Sequence, residues 1–71
     1  MTDLEQARNC GERAGVAAKQ RDFGRVSLCQ TEIRYLKNAQ KTQADKQAID
    51  AEYTEGYREN SGYYNPPQYF R

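Results

Sequence analysis

Small and apolar residues in the first twenty positions fall at Leu4, Ala7, Gly11, Ala14 and Ala18. The steps alternate between three and four, the repeat of one helix face. Cys10 and Ala17 widen the stripe. Thr2 or Asp3 stands where a cap is needed, and Glu5 suits the positive end of the helix dipole. The pattern predicts a helix from Thr2 to Gln20. Most of its face is Ala or Gly, so it buries little area itself but lets a second helix come close. Gly11 and Gly15 each cost up to about 1 kcal/mol of helix propensity relative to Ala. That cost makes sense where a backbone or a bulky side chain lies against them.

The segment "KQRDFGR" is the break, with Gly24, polar flanks and Asp22 as a good N-cap for a second helix. Val26, Cys29, Ile33 and Leu36 then repeat the three-and-four step, with Leu28 and Tyr35 beside the stripe. The first half therefore reads as an antiparallel helical hairpin. Cys10 and Cys29 fall at about the same height on its two arms. They are read first as small buried apolar side chains. A disulfide would also need converging Cβ vectors and an oxidising compartment.

After Leu36 the chain is rich in Ala, Gln, Lys and Glu, with no proline and no glycine before Gly56. All four are good helix formers. One continuous helix from Asp22 to about Arg58 is the preferred reading, about 54 Å long at 1.5 Å per residue. The alternative is a break between Asn38 and Thr42, with Thr42 capping a third helix and Asp45 three residues on. On the continuous reading the helix overhangs its partner. Ile49, Tyr53 and Tyr57 then need cover from a bundle, a dimer or a foreign partner. Asn60, Ser61 and Gly62 stop the helix. The organisation expected is all-α: a helical hairpin domain over 1–60 and an aromatic, proline-containing tail over 61–71.

Composition sharpens the expectation of partners. Seven large aliphatics and two phenylalanines make nine of 71 residues, with a net charge of +1. That is a sparse core for a single small domain, one that gains from a partner or from self-association. The tail "SGYYNPPQYFR" carries Tyr63, Tyr64, Tyr69 and Phe70, aromatic surface for use on the chain's own body or across an interface. Pro66-Pro67-Gln68-Tyr69 also matches the PPxY ligand of WW domains. No apolar run is long enough to span a membrane, and the N-terminus lacks the regions of a signal peptide. A soluble, cytoplasmic protein is the default.

The stretch "AGVAAKQRDFGRVSLCQTEIRYL", residues 14–36, resembles one tetratricopeptide-repeat hairpin. Small residues line the first helix, Arg21, Asp22 and Phe23 take the turn, and Val26 falls where that family usually has Ala. The resemblance implies a helical hairpin that packs on other helices. The small size, polar hairpin and aromatic tail are also similar to small accessory proteins of temperate phages, which implies binding and redirection of a host factor.

Catalytic chemistry is absent from the pattern. There is no histidine, the commonest general base and metal ligand. Two cysteines without histidine do not complete a zinc site, and no glycine-rich loop resembles a phosphate cradle. No cofactor is expected, and the chain does not read as an enzyme. Charge is uneven: Lys and Arg lead through Lys41, and acidic residues lead afterward. Arg34, Lys37 and Lys41 share a face on the continuous helix and could follow a phosphate backbone. The same asymmetry could instead set a basic middle against Asp50, Glu52, Glu55 and Glu59 of a second copy, favouring a homodimer. The leading expectation is a non-catalytic interaction protein that binds and modulates another protein. Its binding residues would be Ile49, Tyr53, Tyr57, Tyr63, Tyr64, Tyr69 and Phe70. A nucleic-acid-associated regulator and a WW-domain ligand are the alternatives.

Overall fold

The computed structural model describes residues 2–62, and these form three helices: α1 (Asp3–Lys19), α2 (Phe23–Asn38) and α3 (Gln43–Ser61). Each start carries a side-chain cap of the kind the sequence offers. The Thr2 hydroxyl accepts from the Glu5 amide while the Glu5 carboxylate accepts from the Thr2 amide, a complete capping box. Asp22 caps α2 through the Arg25 amide, and Thr42 caps α3 through the Asp45 amide.

The first turn falls at Arg21 and Asp22, with Asp22 as the N-cap that the sequence offers. The left-handed residue is Arg21, with φ 63°, while Gly24 lies inside α2. The Arg21 amide donates to the Ala18 carbonyl and the Asp22 amide to the Ala17 carbonyl. These two bonds are the paired closure of a Schellman motif, which satisfies the last carbonyls of α1.

The continuous helix from Asp22 to Arg58 does not form; the break at residues 39–42 does. At about 54 Å the long helix would outrun the 33 Å longest dimension of the described residues. Hydrogen bonds to other parts of the chain hold the break. The Gln40 amide group donates to Asp3 of α1 and to the Leu36 carbonyl, and Lys46 Nζ donates to the Lys37 carbonyl. The break folds α3 back onto α1, which buries the residues a continuous helix would leave bare.

Helix α1 is the centre of the bundle. Its small face, Ala7, Cys10, Gly11, Ala14, Gly15, Ala17 and Ala18, is buried throughout. Leu4, assigned to that face, is instead 45% exposed, because the stripe runs off the end of the bundle in the first turn. Helix α2 supplies Val26, Cys29 and Ile33 from its own stripe, with Leu36 half-buried. Helix α3 lies closest. A Cβ built on Gly11 would overlap the carbonyl oxygen of Tyr53, and one on Gly56 would stand 2.6 Å from the Arg8 carbonyl oxygen. Glycine is required at this crossing because backbone meets backbone there.

Candidate functional site

The residues expected to await a partner on α3 are used within the chain. Ile49 is 1% exposed and packs with Ala7, Cys10, Ala14, Cys29 and Ile33. Tyr53 and Tyr57 are partly buried against the same cluster, their ring centroids 6.3 Å apart. None of the three is a free docking surface, because α1 provides their cover. The uncovered overhang, one of the motives for expecting a homodimer, does not exist. Tyr63, Tyr64, Tyr69 and Phe70, with the PPxY match, lie outside the described residues.

The polar groups inside the bundle point away from reactivity. Cys10 and Cys29 are both buried, free thiols, with Cys10 Sγ 3.9 Å from the Cys29 carbonyl oxygen. Burial, then the nearby Glu32 carboxylate, pushes the Cys10 thiol up to about 12. A thiol held neutral in this way is a poor nucleophile at neutral pH. Burial also pushes Tyr53 up to about 12, reinforced by Cys29, Tyr57 and Cys10. Glu32 is pushed up by burial, but Cys10, Gln6 and Arg13 outweigh this and hold it below its ordinary value. Among the described residues no group of three or more metal-ligating side chains is placed to hold an ion.

The Tyr53 hydroxyl is buried with no hydrogen-bond partner among the described residues. A phenol in that position costs desolvation without return. Tyr53→Phe should therefore leave stability at pH 7 unchanged or raise it by about 1 kcal/mol. The raised Tyr53 value adds a pH signature. Its stabilising share is complete below pH 10, the ordinary tyrosine value, and is lost as the pH rises toward about 12. Urea melts at neutral and alkaline pH check both points: the variant should lose less stability than the parent above pH 10. A loss above about 1 kcal/mol at pH 7 would mean that the hydroxyl has a partner.

Several of the charged residues pair between helices. Arg8 reaches Glu12 on its own helix and both Glu52 and Glu59 on α3, the last at 2.5 Å. Arg13 pairs with Glu32 at 3.3 Å, and Lys37 with Asp50 at 2.8 Å. The acidic residues assigned to a second copy thus include three, Asp50, Glu52 and Glu59, that pair within the chain. The nucleic-acid face also fails as drawn. Lys41 lies in the loop after α2 and Lys37 is tied to α3, so Arg34, Lys37 and Lys41 do not share one helix face.

The unspent surface lies on α2 and on the neighbouring edge of α1. Leu28 is 72% exposed and Tyr35 73% exposed. Seven residues apart, they lie on one side of α2, two turns from each other. Leu28 also lines a groove between α1 and α2, of about 510 Å³, with Val16, Ala17 and Cys29 as its apolar surface. Its polar rim includes Glu12, Arg13, Arg25 and Glu32. Periodicity placed Leu28 and Tyr35 beside the buried stripe and gave them no role. Their mutual spacing of seven was the signal available.

Comparison with models of known protein families, with curated proteins and with solved structures finds no match. Among the described residues no helix is long and apolar enough to cross a membrane.

Proposed function

We propose that this chain is a non-catalytic interaction protein that binds and modulates another protein. Its contact surface is the outer side of α2, centred on Leu28 and Tyr35, together with the α1/α2 groove. One observation carries the reading. In a chain this poor in large apolar residues, Leu28 and Tyr35 stand exposed on one helix side while alanine, glycine and cysteine fill much of the core. An apolar surface of this kind, rimmed by charge, is what a protein partner covers.

The test is retention of a partner from the native host by the full chain and by two variants. Leu28→Asp with Tyr35→Asp should lose the partner while keeping the helical melt, because both side chains are mostly exposed. Thr54→Asp, on the exposed side of α3, should retain it. Equal retention by both variants would place the contact elsewhere. Light scattering on the same samples identifies a second copy of this chain as the captured species, if it is one.

A further inference from the structure

Helix α2 carries two seams. The buried one, Val26, Cys29 and Ile33, packs against the other two helices. The other runs along the outer side as Gly24, Leu28, Thr31, Tyr35 and Asn38, all five exposed. Its steps are four, three, four and three, the repeat by which one helix seats its side chains on another.

Two details suit this seam to being covered. Gly11, Gly15 and Gly56 each lie against the backbone of another helix. Gly24 does not: it has no positive φ, and a Cβ there would meet only Asp22 Oδ1 at 3.8 Å. Its cost in helix propensity therefore has no return within the described residues. A close-lying foreign backbone supplies one, as α3 does for Gly11. The second detail is Thr31, whose hydroxyl donates to the Ser27 carbonyl at 3.1 Å. Covering Thr31 leaves that donor paired.

Charge selects the kind of helix. Glu32 is the one carboxylate within α2, and it is held by Gln6 and Arg13. Asp22, the cap, is engaged by the Arg25 amide and side chain. Arg34, beside Tyr35 on the flank of the seam, is exposed and has no ion pair among the described residues. A second copy of α2 has no free carboxylate to offer it. A different helix with acid on its flank does.

We propose that the outer seam of α2 binds an amphipathic helix of another protein, its apolar residues on Leu28 and Tyr35, its backbone close to Gly24 and a carboxylate on Arg34. This inference deepens the partner reading and rests on it. From Gly24 to Asn38 the seam is about 21 Å long, so a partner helix of about four turns covers it.

Titration of the isotope-labelled full chain with two helical peptides tests it. Both are alanine-rich and lactam-bridged, with leucines at the same alternating spacing. One carries glutamate on its flanks, the other lysine. The glutamate peptide should move the amide signals of Leu28, Thr31 and Tyr35 and bind several-fold more tightly than the lysine peptide. Arg34→Glu should erase that preference. Gly24→Leu should weaken binding several-fold without lowering the thermal melt, because a side chain there has open space in the free chain. Equal binding of the two peptides, signal changes confined to another face, or unchanged binding by Gly24→Leu would overturn the proposal. So would tighter binding of a peptide of residues 22–38, which would seat a second copy, or of oligothymidine, which would make the surface a nucleic-acid contact. If the two peptides bind equally while Leu28→Asp with Tyr35→Asp still loses the native partner, only this inference falls. If the glutamate peptide docks on the seam and that variant keeps the native partner, only the partner reading falls.

Discussion

Replacing Gly11 with alanine should unfold a large share of the protein at temperatures where the parent is intact. At an exposed helical site the change would gain up to about 1 kcal/mol of propensity. Here the new methyl would overlap the Tyr53 carbonyl oxygen and stand 2.9 Å from its carbon. Both are backbone atoms on a helix and cannot swing aside, so α3 must move off α1. Gly15 and Gly56 lie in the same crossing, so the shift loosens the whole interface. A loss of roughly 3 kcal/mol is expected, the upper part of the usual overpacking range. For a domain this size that lowers the melting temperature by roughly 12–24 °C. Gly24→Ala is the control. Its Cβ would meet only Asp22 Oδ1 at 3.8 Å, so thermal melts should show no loss, or a small gain. Equal behaviour of the two variants would mean that α3 does not lie on α1 as described.

The second large effect is expected at Ile49. It is the largest fully buried side chain, in a cluster made mostly of alanine and cysteine. Truncating it to alanine removes its transfer energy and leaves a cavity that rigid small neighbours cannot fill. The expected loss is about 2–5 kcal/mol, and about 0.5–1.5 for Ile49→Val. Leu28→Ala, at a mostly exposed position, should change stability by no more than about 0.5 kcal/mol. Denaturant melts of the three variants read this contrast directly. A mild Ile49→Ala would fit an uncovered third helix, and so the continuous-helix reading.

Much of the local structure was legible in the sequence because its determinants are local. Thr2 or Asp3, and Asp22, announced the first two helix starts, Thr42 offered the third only as the alternative to a continuous helix, and Asn60 to Gly62 announced the end. The small face of α1 was legible too, including the demand of Gly11 and Gly15 for a close neighbour. The identity of that neighbour was not. Nothing between Leu36 and Thr42 forbids helix. The break is settled by contacts distant in sequence: Gln40 on Asp3, and Tyr53 and Tyr57 over the two glycines. The position of the turn was legible from Asp22, but which residue takes the left-handed conformation was not. Gly24 is the residue with intrinsic freedom, yet Arg21 takes the left-handed position because the closing bonds to Ala17 and Ala18 fix it there.

The same long-range closure reassigned the site. Once α1 covers Ile49, Tyr53 and Tyr57, the most exposed large apolar side chains described are on α2, where periodicity had marked Leu28 and Tyr35 only as flanking residues. Lys37 likewise reads as a phosphate contact until Asp50 is placed 2.8 Å away. Spacing along one helix cannot show which of its charges another helix will neutralise.

The partner reading is tested most directly by a photo-reactive phenylalanine analogue placed singly at Tyr35 or at Thr54 in full-length chains expressed in the native host. The side of α2 centred on Leu28 and Tyr35 should give one discrete crosslinked protein from position 35 and none from position 54. Crosslinks of equal yield at both positions, or none at position 35, would contradict a binding surface on α2.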